Sequence, residues 1–290
     1  MIGILAAELS STLADAPKLP GHLNLDVVRA IPVQHDGRWM PMDTLARDMV
    51  WSTTGKVNYR GQDPMLWLLA WTFDPQTWAD DPLIGVGSAE LRGILELPAN
   101  RTEFSFDELV QHKPLRRIFD DLARRTDRKK MNPLESKATD IRSKLVELQN
   151  VFQNEVMLPV PNATDAMAAW TPIELPKAGA TASMTPVQTA WSGLQSAFLA
   201  DNATAFADAS RRLSDSLARL PAAHRPTAEA ITQELRYNRL QPYAIAWKLM
   251  VLGAIAAAVA VGVQRRWVDL IVVAIILAGF GMLTYGIWLR

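Results

Sequence analysis

The 290-residue chain has no cysteine, which rules out a disulfide framework, a thiolate metal site, covalent haem attachment and a cysteine nucleophile. It has no excess of charge of either sign: 30 Lys and Arg balance 30 Asp and Glu, so composition offers no basic footprint for nucleic acid. The four histidines, His22, His35, His112 and His224, are scattered without metal-ligand spacing. No Lys or Arg precedes Lys18, and Glu8 and Asp15 interrupt the apolar stretch near the start. Met1–Ala16 therefore lacks the basic start and unbroken apolar core of a secretory signal. It reads as a short amphipathic helix with Ile4, Leu5 and Leu9 on one side.

Long apolar runs, by contrast, dominate the last fifty residues. Leu249–Val263 holds no charge, and with Tyr243–Trp247 beyond Lys248 it reaches the roughly 20 residues needed to cross a hydrocarbon core. Leu270–Leu289 is a second uncharged run. The corner between them, Gln264–Asp269, is long enough only for a tight turn between antiparallel helices. Soluble helices rarely stay apolar on every face for so long, so the spans read as a transmembrane pair over 243–263 and 268–289. Trp247, Trp267 and Trp288 stand at span ends, where indoles favour the membrane interface. Ala256 and Ala260, and Ala274 and Ala278, are small residues four apart that permit close helix contact. Arg265 and Arg266 at the corner are offset by Arg236, Arg239 and Lys248 before the first span and Arg290 after the second. Charge alone leaves the side of the body open.

The remaining residues predict a mostly helical body. Ala30–Gln34 and Arg38–Pro41 flank His35-Asp36-Gly37, a hairpin signal that leaves His35 in the turn and exposed to solvent. Asp43 or Thr44 then caps a helix with Leu45, Ala46, Met49 and Val50 on one face, ended by Gly55. A second helix starts at Asp63-Pro64 and stops at Asp74-Pro75. Pro82–Val86 reads as a short strand, Ser88 caps a helix through Ile94, and Ser105 precedes one helix holding Leu109, Leu115, Ile118, Phe119 and Leu122. Leu134, Ala138, Ile141, Leu145, Leu148 and Phe152 step by three and four along a long helix over 133–155. Five prolines and glycines in 157–184 mark a Pro-rich linker crossing the surface. Helices starting at Thr185-Pro186, Asn202 and Pro226-Thr227 follow, the first two forming a helical hairpin. The organisation is thus 1–156 mostly helical with a small β element, 157–184 linker, 185–240 helical, and 243–290 the two spans.

Few residues carry recognisable chemistry. Ser52–Lys56 ends like a phosphate-binding loop, but Val50 and Val57 occupy the places that need Gly and Ser or Thr, so it reads as a glycine helix stop. Gly85-Val86-Gly87 lacks the third glycine of a dinucleotide loop, Glu90 standing there. Arg124-Arg125 and Arg128-Lys129-Lys130 form either a solvated helix end or a contact for anionic lipid headgroups. No nucleophile–base set stands out, and the chain is expected not to be catalytic on its own.

Ile31-Pro32-Val33-Gln34-His35-Asp36-Gly37-Arg38-Trp39-Met40-Pro41-Met42-Asp43-Thr44-Leu45-Ala46-Arg47 resembles the "lPVQ-dGR-kPlDT-aR" stretch of system II cytochrome c biogenesis proteins of the CcsA/ResB type. The likeness continues in order through Gly61–Pro64, Asp74-Pro75, Trp78 and Pro82–Ile84. It resumes at Glu234–Asn238 and Pro242, similar to the "E-x-x-YN…P" approach to a membrane span. The resemblance implies a body on the periplasmic side of a bacterial inner membrane, and with the residue patterns above the expected fold is mainly α. In that fold a helical extracytoplasmic body with a small β-hairpin is followed by a two-helix transmembrane hairpin. It implies a role in haem delivery or attachment to apocytochrome c. The family's WWD haem-handling segment and its histidines have no counterpart here, and no haem ligand carries over to this chain. In large forms the chain continues past a stretch like Gly286–Arg290, which puts the chemistry on another chain or on a portion not present in this one.

The resulting expectation is a membrane-anchored subunit that positions apocytochrome c or braces a WWD-bearing haem-handling membrane protein. Haem would be handled by that partner, and no cofactor is expected on this chain. The other reading is a membrane-tethered scaffold subunit of a respiratory or transport complex. Arg38, Asp43, Thr44 and Arg47 are the candidate residues, either contacting a partner or holding the hairpin and helix by local ion pairing.

Overall fold

A computed structural model describes residues 18–124, 131–174, 184–263 and 265–289. The amphipathic helix expected in Met1–Ala16 lies outside them, as do Arg125 and 128–130 of the basic cluster and residues 175–183 of the Pro-rich segment.

The architecture is mainly α, with the small N-terminal β-hairpin and the two C-terminal apolar helices in their expected places. After a helical turn α1 (Asp26–Arg29), strands β1 (Pro32–His35) and β2 (Arg38–Pro41) pair antiparallel, His35 opposite Arg38. Asp36 and Gly37 both take positive φ, 48° and 75°, as a two-residue turn matched to strand twist requires. His35 ends β1 half-buried rather than exposed in the turn, its Nε2 3.6 Å from Asp36.

Helix α2 (Met42–Thr54) departs from the expected cap. Its N-cap is Pro41, whose side chain caps nothing. The Ile31 carbonyl accepts from the Met42 N–H at 2.9 Å, so the backbone just before β1 does the work of a capping side chain. Asp43 and Thr44 lie inside the first turn and are free to face another helix. At the far end Gly55 adopts φ 72° and its N–H reaches the Trp51 carbonyl, the glycine stop that the sequence indicates.

Helix α3 (Pro64–Phe73), capped by Asp63, is buried at every position except Thr72, which makes it the central rod of the body. Asp74 closes it and caps α4 (Pro75–Ala79). Strand β3 (Pro82–Gly85), helix α5 (Ala89–Ile94) capped by Ser88, and strand β4 (Glu103–Ser105) follow, β3 and β4 pairing antiparallel. The single helix expected after Ser105 is two, α6 (Phe106–Gln111) and α7 (Lys113–Arg124), with His112 extended between them. Pro114 is the reason. A continued helix would need its missing N–H and would drive its ring into the Val110 carbonyl.

Helix α8 (Pro133–Phe152) opens with a full capping box between Asn132 and Glu135 and buries Ala138, Ile141, Leu145, Leu148 and Val151. Residues beyond it do more than cross the surface. The Leu158 carbonyl accepts from Gln34 N–H at 3.0 Å, Val160 and Thr171 pair, and Met157, Trp170 and Ile173 are buried. Helices α9 (Thr185–Leu199) and α10 (Ala203–Ala218) form the expected helical hairpin. One apolar cluster runs from Leu25 to Leu220, so both helical regions and Met157 and Ile173 between them share a core. Of the tryptophans outside the apolar helices, Trp67, Trp71, Trp78, Trp170 and Trp191 are buried. Trp39 is half-buried against His224, and Trp51 is 59% exposed.

Helix α11 (Ala228–Leu240) leads through Gln241, in the left-handed conformation at φ 46°, into α12 (Pro242–Val263). Helix α13 (Arg266–Trp288) returns toward the body. At 1.5 Å per residue the last two are about 33 and 35 Å long, enough for a hydrocarbon core of about 30 Å. Only 17% of each apolar window is buried, with Val261, Leu270, Leu277 and Ile287 turned outward. These are not core helices of a soluble fold. Their mutual seam is built from residues seven apart, Ala246, Gly253 and Ala260 on one helix and Val272, Gly279 and Gly286 on the other. Ala274 and Ala278, read as contact residues, are exposed instead. Glycine sets the approach: a Cβ on Gly279 would lie 3.4 Å from the Ala246 carbonyl, and one on Gly286 would lie 2.9 Å from the rigid Pro242 ring.

The absence of native cysteine allows a direct check. Ala246→Cys with Gly279→Cys is expected to cross-link within one chain under mild oxidation. Adding Gly286→Leu should overpack the seam at a cost of about 1–3 kcal/mol and lower the cross-linked fraction.

Candidate functional site

The four candidate residues converge, and the element they meet is α11, almost two hundred residues away in sequence. Asp43 is the centre. Its residue is only 3% exposed, and its carboxylate accepts from Arg29 through one oxygen and from Arg47 Nε at 2.8 Å through the other. The same second oxygen accepts from Asn238 Nδ2 at 3.0 Å. Thr44, the next residue, accepts from Asn238 Nδ2 at 2.8 Å and donates to Glu234 Oε1 at 2.8 Å. Arg38 at the end of the β-hairpin reaches the same Glu234 oxygen at 2.6 Å. Arg29 also pairs with Asp63, the residue that caps α3.

Local structure explains why these groups can meet. Asp43 and Arg47 are four apart on α2, and Glu234 and Asn238 are four apart on α11, so each pair occupies one helical face. Backbone capping of α2 by Ile31 leaves the Asp43 and Thr44 side chains available for α11. Asp43 also lies in the first turn of its helix, where the dipole favours a negative charge.

Burial by itself would raise the Asp43 pKa. Arg47 and Arg29 outweigh it and hold the carboxyl below the ordinary carboxylate range. Burial likewise would lower the Arg29 pKa, and Asp63 and Asp43 hold it above its usual value. Asp43 is therefore a stable anion with its lone pairs occupied, suited to anchoring rather than to exchanging protons.

Asn238 lines two cavities. One, of about 490 Å³, is lined by Arg38, Thr44, Asp48 and Glu234 together with Leu289 from the end of α13. The other, of about 380 Å³, holds the alternating charges of Asp26, Arg29, Arg47, Asp63 and Arg239. Among the described residues no three of His, Asp and Glu come together as a group that could hold a metal ion.

Sequence reasoning selected Arg38, Asp43, Thr44 and Arg47, and the fold brings all four to one site. It missed Arg29, took Asp63 as the start of a helix and as part of a resemblance, and read Glu234 and Asn238 only as part of that resemblance. The spacing of Glu234 and Asn238 by four residues on a short polar helix was the available signal.

Asn238→Ala would leave the Asp43 carboxylate and the Thr44 hydroxyl each short of a buried partner, at a cost of about 1–3 kcal/mol, seen as a lower melting temperature of the detergent-solubilised chain. Because the folded pKa of Asp43 is depressed, its contribution is present above the unfolded carboxylate value and is lost as pH falls through the folded one. Asp43→Asn should therefore melt well below the parent chain at pH 7, and the gap should close progressively below about pH 4. Compared with known proteins, the chain matches no family model and no curated protein.

Proposed function

We propose that the chain is a membrane-anchored component of system II cytochrome c maturation, with its body on the extracytoplasmic side of a bacterial inner membrane. It braces a haem-handling membrane partner or positions apocytochrome c, and ligation is carried out elsewhere. One observation carries the reading. The two stretches on which the family resemblance rests, Ile31–Arg47 and Glu234–Asn238, interlock through Arg38, Asp43 and Thr44 against Glu234 and Asn238. The segments that carry the likeness in sequence are thus the ones that meet in space.

The joint stands where the body meets α12, at Gln241-Pro242. A body clamped at that point presents its surfaces at a set orientation to a neighbouring membrane protein. Arg265 and Arg266, at the tip distal to the body, would then face the cytoplasm, as basic residues in short loops do.

The test is holocytochrome c yield in the native host, with co-purification from the same membranes. Arg38→Ala removes a side chain that is 59% exposed and is expected to leave the fold intact while lowering holocytochrome yield several-fold. Asp43→Ala, which unseats α11, should lower it further, and the parent chain should co-purify with a WWD-bearing protein. Wild-type yield and complex formation in both variants would refute the proposal. Recovery with a respiratory complex instead would favour the scaffold reading.

A further inference from the structure

The 490 Å³ cavity beside the joint is polar, yet it lies at the very end of two apolar helices. Leu289, just past the last turn of α13, forms part of its wall, and Tyr237 and Asn238, one turn before α12 begins, form another part. If α13 spans about 30 Å of hydrocarbon, its roughly 35 Å place Leu289 at the boundary with the headgroup layer. The cavity then sits within that layer.

Its charges are specific. Arg38 uses one nitrogen on Glu234 and keeps further N–H donors. Asp48 is exposed on α2 and accepts no hydrogen bond from a described residue. Glu234 offers a second carboxylate. A ligand matching this lining carries a phosphate for the arginine and, a few ångströms away, a cationic group able to donate hydrogen bonds to carboxylates. An anionic headgroup meets two carboxylates and one arginine and is disfavoured. A choline headgroup has the charge but no N–H to donate.

We propose that this cavity binds the headgroup of an ethanolamine phospholipid, its phosphate on Arg38 and its ammonium between Asp48 and Glu234. The acyl chains would descend the α13 face beneath Leu289, where Tyr285 and Met282 are half-buried at four and seven residues' spacing. A lipid held there would link the body to the bilayer at the joint itself. The proposal rests on the reading that α12 and α13 cross a membrane.

The full chain reconstituted in nanodiscs of equal parts phosphatidylethanolamine, phosphatidylglycerol and phosphatidylcholine, then released for native mass spectrometry, provides the test. Phosphatidylethanolamine should be retained over the other two by roughly tenfold, the scale of one charge-assisted hydrogen bond. Asp48→Asn should abolish the preference without changing helix content or melting temperature, because the side chain is exposed. Equal retention of the three lipids, or an unchanged preference in Asp48→Asn, would overturn the headgroup site while leaving membrane insertion intact. Failure of the chain to enter nanodiscs would overturn the membrane reading first. Equally strong binding of soluble glycerophosphoethanolamine to the detergent-solubilised chain would overturn the assignment to a lipid.

Discussion

A carboxylate that is almost wholly buried must be surrounded by donors or it will not stay charged, and Asp43 meets that requirement with groups from three separate parts of the chain. Arg29 comes from the first helical turn, Arg47 from the same helix, and Asn238 from the helix that precedes the apolar pair. Remove any of these and an unpaired charge or an empty hydrogen-bond position remains in a low-dielectric site. The demand is mutual, since Asn238 bridges Asp43 and Thr44 with one amide nitrogen. The position of α11 on the body follows from satisfying that one anion.

The apolar pair inherits its placement from the joint. A single residue, Gln241, separates α12 from α11, and α13 is set against α12 by glycines that admit the facing helix at close range. The close approaches run from Gly253 against Ile276 to Gly286 against Pro242, so the second helix returns its end to the same polar site. Buried charge on the body side and glycine packing on the apolar side thus converge within two helical turns.

Local chemistry was legible in the chain wherever a short-range rule decides. The Asp36-Gly37 turn, the Gly55 stop, the caps at Asp63, Ser88, Asn202 and Thr227, and the two apolar helices all follow from residues within a few positions of one another. The misreadings came from the same rules when a longer-range group intervened. Asp43 looked like a helix cap because a carboxylate before an apolar stripe usually is one, but the Ile31 carbonyl had taken that place. Ala274 and Ala278 looked like a packing face because small residues four apart often are, while the actual seam follows the seven-residue spacing of Gly279 and Gly286. The proline-rich stretch looked like a linker because its own residues form no helix, yet Gln34 gives it both an N–H donor and an amide acceptor.

Sequence alone determined the division into a helical body and two apolar helices. Hydrophobic periodicity and run length act residue by residue, and burial of apolar surface is roughly additive. It also picked out Arg38, Asp43, Thr44 and Arg47 as a group with something to do. Only the tertiary structure decided what they do, because a buried ion pair depends on which distant helix supplies the counter-group and excludes water. Glu234 and Asn238 are ordinary polar residues on a short helix until the fold lays them against α2. In that contact a motif near the start of the body and the approach to the membrane-length helices become one site.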